Sequence, residues 1–195
     1  GQVLSRFTVL FSTLVTISGI AGLLGLSGCK KDQPPSVVII VTERMNVFDM
    51  NCANNEEQEG EGGFPVLCRE FIRFTHAYTP SVLAVPTLTS LLTGQFPVEH
   101  RVRNNGQNIS QTKLVSEVAL ERKFRTAFLS GGAPILRKTG LHRGFENFDD
   151  GLGTESNLMF KPFKLSIERF KRWMSSEVGG DPIFVVFYVP DLLYT

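Results

Sequence analysis

The sequence predicts an α/β fold built on a parallel sheet, and three observations carry that prediction. Residues 36–42 (SVVIIVT), 126–130 (TAFLS) and 183–189 (IFVVFYV) are short apolar runs without alternation. Such runs suit strands buried on both faces, the kind found inside a parallel sheet. Between the second and third lies a helical pattern over residues 165–178, with Ile167, Phe170, Trp173 and Met174 on one side and Lys, Arg and Glu on the other. Apolar strands that alternate with amphipathic helices indicate parallel pairing, because parallel neighbours need long crossover connections.

The remaining elements follow in order. Pro34-Pro35 keeps a short polar tether extended ahead of the first strand. Residues 54–63 are acidic and Gly-rich and predict a surface loop. Residues 65–74 place Leu67, Phe71 and Phe74 at roughly helical spacing. Pro86 suits the first turn of a helix over residues 87–93 that stops at Gly94. A second helix is predicted over residues 113–123, with Leu114, Val115, Val118 and Ala119 on its inner face. Gly131-Gly132 ends the second strand, and the Gly179-Gly180-Asp181-Pro182 turn leads into the third. Only three strands are legible and the third ends close to residue 195, so the expected sheet is cut short, as in a fragment of a longer protein.

The N-terminal stretch predicts export. Arg6 precedes an apolar run from Phe7 to Leu26, and Leu26-Ser27-Gly28-Cys29 then opens into Lys30-Lys31-Asp32. This pattern resembles the bacterial lipoprotein signal, which implies cleavage before Cys29 and lipid on that cysteine. An uncleaved anchor and an ordinary signal peptide are the other two readings of a run about 20 residues long. The expected organisation is therefore a signal peptide at 1–28, a tether at 29–35 and a partial domain at 36–195. The expected location is the bacterial cell envelope, lipid-anchored at the outer membrane and facing the periplasm. The formal charge is +1 and falls to about zero without Arg6, so no basic face is implied and nucleic acid is excluded as a partner. Cys52 and Cys68 stand where a disulfide would persist; a bridge and two unpaired thiols both fit the sequence.

Three segments resemble the N-terminal part of the sulfatase family, within the alkaline phosphatase superfamily. The first is the strand from Val37 followed by Glu43-Arg44-Met45-Asn46-Val47-Phe48-Asp49-Met50. The second runs from Leu67 through Phe74-Thr75-His76-Ala77-Tyr78-Thr79-Pro80 and Pro86 into Ser90-Leu91-Leu92-Thr93-Gly94-Gln95-Phe96-Pro97. The third is Gly140-Leu141-His142-Arg143-Gly144-Phe145-Glu146-Asn147-Phe148-Asp149-Asp150. The resemblance implies an alkaline phosphatase-like α/β sandwich. It also implies sulfuric or phosphoric ester hydrolysis by a nucleophile at a helix N-terminus, with a divalent metal, calcium above all, held by carboxylates.

Carried over residue by residue, that resemblance describes a damaged site. The metal carboxylate falls on Glu43, and the nucleophile on Ala84, which cannot attack an ester. The arginine that often follows the helix proline falls on Leu88, and Ser130-Gly131-Gly132-Ala133 stands where many members place lysine and histidine. Thr87 is a weak substitute nucleophile, since a helical hydroxyl commonly bonds back to the backbone. His100, with Arg101 and Arg103, is a weak candidate for anion binding, and His76 is expected as a structural histidine on a strand. For Asp149-Asp150 a solvated turn is favoured over a cation-binding pair, and Asn104-Asn105-Gly106 reads as a turn signal. The functional expectation is an exported lipoprotein with a catalytically inactive sulfatase-like domain that takes a sulfated or phosphorylated ligand. The alternative is a metal-dependent ester hydrolase.

Overall fold

The computed structural model describes residues 33–43, 45, 70–109, 111–151 and 160–190. The apolar run ending at Cys29, the acidic loop at 54–63, Leu67, Cys52 and Cys68 lie outside them. No helix among the described residues is long and apolar enough to cross a membrane.

Four strands form one sheet. They are β1 (Val37–Thr42), β2 (Arg125–Ser130), β3 (Asn147–Asp149) and β4 (Ile183–Val189). The order across the sheet is β1-β4-β2-β3, and every pairing is parallel. Helices α1 (Ala84–Thr93), α2 (Pro97–His100) and α3 (Val115–Glu121) lie between β1 and β2 in the chain, and α4 (Phe163–Glu177) precedes β4. The last strand in sequence thus sits inside the sheet, between β1 and β2, and all seven of its residues are buried.

Strand alternation sends side chains to two cores. Phe128, Phe184, Val186 and Tyr188 face one core, where Val85, Leu88 and Leu92 of α1 meet Leu114 and Ala119. The rings of Phe128, Phe145, Phe148 and Phe184 interlock there, with Phe128 5.3 Å from Phe145 and 5.0 Å from Phe148. Ala127, Leu129, Ile183, Val185, Phe187 and Val189 face the other core, under Trp173, Phe163, Ile167, Phe170 and Met174. The helical stripe read over 165–178 is the inner face of α4.

Several expectations need correction. Among the described residues β1 is an edge strand, paired with β4 alone, and Val38 and Ile40 are 50% and 56% exposed. An apolar run records what a strand prefers, while its place in the sheet is set by distant chain. Phe71 to Phe74 are not helical and lie exposed. His76 is in an exposed turn, not a strand, with Nδ1 3.0 Å from Thr75 Oγ1. α1 begins at Ala84, three residues before the expected start, with Pro86 still inside its first turn and Gly94 closing it at φ 70°. On α3 the inner residues include Ser116, and Val115 is 42% exposed. The turn expected at Asp149 is instead the end of β3.

The two-core arrangement predicts that Phe128→Ala, at the hub of the ring cluster, lowers unfolding free energy by about 3–5 kcal/mol. Urea titration followed by circular dichroism measures this; a loss under about 1 kcal/mol would contradict the packing.

Candidate functional site

In an open parallel sheet the strands' carboxyl ends make one rim, where ligands bind. Glu43 stands on that rim directly after β1, and its N–H donates to Val189 O at 3.1 Å, extending the ladder. Its carboxylate accepts a hydrogen bond from the Tyr188 hydroxyl at the end of β4. The first residue of α1, Ala84, lines the same cavity of about 520 Å³, together with Thr42, Thr79, Ser81, Thr87, Leu88, Asn105 and Tyr188. The structure therefore brings the expected metal carboxylate and the expected nucleophile position together.

The polarity of that cavity is specific. At the start of α1 the Val85 N–H donates to Asn105 Oδ1 at 3.0 Å, Pro86 has no N–H, and the Thr87 N–H donates to Leu83 O at 3.1 Å. Among the first-turn donors only the amide of Ala84 is left for a ligand. Thr79 and Thr87 both direct their hydroxyl protons at Ser81 O, at 2.7 and 2.9 Å. Ser81 Oγ accepts from the Leu83 N–H at 3.1 Å. Beside these acceptors, the Ser81 hydroxyl and the Asn105 side-chain NH2 are donors on the same wall. Leu88, 1% exposed, occupies the place where the family resemblance puts a cation.

Ala84 ends in a methyl group, so the position nearest the helix start has no oxygen to attack with. Thr87 lines the cavity, but its hydroxyl is bound to Ser81 O, and no base stands beside it among the described residues. A divalent cation such as calcium takes six to eight oxygens. The described residues offer it one carboxylate, and no group of three acidic, histidine or cysteine side chains occurs among them. These residues alone do not fit the metal, and no step is derived through it.

His100 lies elsewhere, in a polar cavity with Glu99, Arg101, Gln107, Asn108 and Gln111. It is 8% exposed. Its Nδ1 accepts the Val102 N–H at 3.1 Å, so Nε2 holds the proton of the neutral ring and donates it to Ser90 Oγ at 2.9 Å. Burial lowers the pKa of His100, against smaller opposing effects from its backbone hydrogen bond and Glu99. In this tautomer the ring gives a proton to Ser90 and cannot take one from it.

Sequence reasoning missed Asn105, Tyr188 and the ion network behind β3. Asn105 sat in a turn signal and Tyr188 in an apolar strand; nothing local marks either as part of a cavity. Asp149 binds Lys161 Nζ at 2.7 Å and Arg169 Nη1 at 2.5 Å, and the Lys161 side chain is wholly buried. Lys161 also anchors through its backbone, donating to Gly131 O at 2.6 Å. Neighbouring Asp150 caps the short helix at Arg137–Thr139 by accepting the Arg137 N–H at 2.7 Å. The pair is structural, not a solvated turn.

No family model matches the chain and no curated protein matches it. Solved structures do. BT4656, solved in complex with its substrate D-glucosamine-2-N,6-O-disulfate, aligns at a TM-score of 0.62 with 16% identity, over 80% of this chain and 34% of that one. A protein in the alkaline phosphatase superfamily from Vibrio parahaemolyticus aligns at 0.56 with 17% identity, over 82% and 41%. The fold is that of the alkaline phosphatase superfamily. The chain spans about a third to two fifths of the length of these structures. Within this alkaline phosphatase-like fold, Glu43 and Ala84 share the strand-end rim where such sheets bind ligands.

The ion network gives a pH prediction. Burial pushes the Asp149 carboxyl up, but hydrogen bonds and charge from Arg169 and Lys161 outweigh it and hold its pKa below the ordinary 3.8. A depressed folded value means the stabilisation is complete above the unfolded value and is lost as pH falls through the folded one. Asp149→Asn strands the buried Lys161 charge and is expected to cost about 3–5 kcal/mol at neutral pH. The gap from wild type should narrow as pH drops below 3.8. Urea titrations across that range check it; a pH-independent gap would contradict the assignment.

Proposed function

We propose that this chain is an exported, lipid-anchored protein of sulfatase-like fold whose Ala84 cavity binds a ligand without cleaving it. The observation that carries the reading is the methyl group at the start of α1, in the same cavity as Glu43. An ester needs an activated oxygen or sulfur to attack it, and a missing nucleophile costs several orders of magnitude in rate. Among the described residues, the Thr79 and Thr87 hydroxyls near Ala84 are bound to Ser81 O and have no base beside them. Export and lipidation at Cys29 rest on the apolar run and its Leu-Ser-Gly-Cys ending, and imply a place on the bacterial outer membrane facing the periplasm.

A second reading, a metal-dependent hydrolase of sulfuric or phosphoric esters, is favoured by one observation: the fold likeness to a protein solved with a disulfated sugar. Under it Glu43 would hold calcium and Thr87 would attack. Fold likeness alone does not assign chemistry, which depends on the site.

Incubation with an aryl sulfate and an aryl phosphate, with calcium added, separates the two. The first reading predicts turnover equal to a denatured control and a melting temperature that calcium leaves unchanged. Turnover above that control, or a calcium-dependent rise in melting temperature, supports the second. For the anchor, growth with a labelled fatty acid should label the wild type and not Cys29→Ser; equal labelling of both would sink it.

A further inference from the structure

We propose that the Glu43 cavity is selective for a cationic, hydroxyl-rich ligand, the ammonium form of an amino sugar, over sulfate or phosphate esters. This rests on the reading of the site as a non-catalytic binding cavity, and reverses the charge preference that the fold's resemblance would suggest.

Three features converge on it. Glu43 is the one charged side chain that lines the cavity among the described residues. The Tyr188 hydroxyl, on a residue 2% exposed, holds one carboxylate oxygen and leaves the other for a ligand. An anionic ester beside that carboxylate meets like charge in a partly dry space, where screening is weak. An ammonium meets a charge-assisted hydrogen bond there.

The other polar groups of the cavity suit hydroxyls, and Glu43 sets the charge preference. An oxyanion needs several N–H or O–H donors aimed at it. The start of α1 keeps only the Ala84 N–H for this: Val85 donates to Asn105, Thr87 to Leu83, and Pro86 has none. Thr79 and Thr87 donate to Ser81 O and stand 3.3 Å from each other, so their hydroxyl oxygens can accept from a ligand. Acceptors and donors side by side, with one carboxylate, suit a ligand that carries several hydroxyls and an N⁺–H group. A volume of about 520 Å³ accommodates one sugar ring.

Calorimetric titration of the full chain at mildly acidic pH tests this, with D-galactosamine, N-acetyl-D-galactosamine and D-galactose 6-sulfate as probes. Galactosamine should bind about tenfold more tightly than the N-acetyl form, and the sulfate should not bind detectably. Glu43→Gln keeps an acceptor for Tyr188 and should abolish the preference for the amine. Thr87→Val removes a lone-pair wall away from Glu43 and should weaken all hydroxyl-bearing ligands alike, which keeps the test informative if Glu43→Gln fails to fold. Binding of the sulfate as tight as the amine, a preference that survives Glu43→Gln, or no binding of any probe overturns the proposal. Sulfate release from galactose 6-sulfate would instead overturn the non-catalytic reading beneath it.

Discussion

The Tyr188 hydroxyl donates to the Glu43 carboxylate where β4 and β1 end side by side. That contact needs β4 in the interior of the sheet, paired in register with β1 on one side and β2 on the other. Every side chain of β4 is buried, so its register is fixed from both cores at once. A slip of one residue would turn Tyr188 to the opposite core and leave Glu43 without its partner. The cavity is therefore an outcome of how a buried strand from the end of the chain is threaded beside one from its beginning.

A cavity built this way keeps its place even when its chemistry changes. The helix that starts at Ala84 is held by Leu88 and Leu92 in the core and by Asn105 at its first turn. None of those contacts depends on what residue 84 carries. A methyl group at residue 84 and an apolar side chain at Leu88 are therefore compatible with an intact scaffold. Under the proposed reading, that scaffold presents the Glu43 carboxylate beside hydroxyl and amide groups.

Much of this was legible in residues 36–42, 126–130 and 183–189, because a run of apolar β-branched residues has few other uses. The helix before Gly94 was legible from Pro86, although its start was not: the Val85 N–H is held by Asn105, twenty residues away, which no local signal shows. The edge position of β1 was not legible, since Val38 and Ile40 look alike whether covered or bare. The pairing of Asp149 with Lys161 and Arg169 escaped for a related reason. Two adjacent aspartates after an aromatic resemble a turn, and their partners lie on a later segment that only the fold returns to them. Glu43 and Ala84 were found through resemblance; their shared cavity required the structure.

The central claim is that nothing in the Ala84 cavity attacks an ester. Intact-protein mass spectrometry after incubation with a reactive aryl sulfate and calcium addresses it directly, because a nucleophile that attacked would carry the sulfuryl group. The account predicts an unchanged mass for wild type. A mass gain of one sulfuryl group, mapped by peptide fragmentation to Thr87, Ser81 or Thr79, would contradict it.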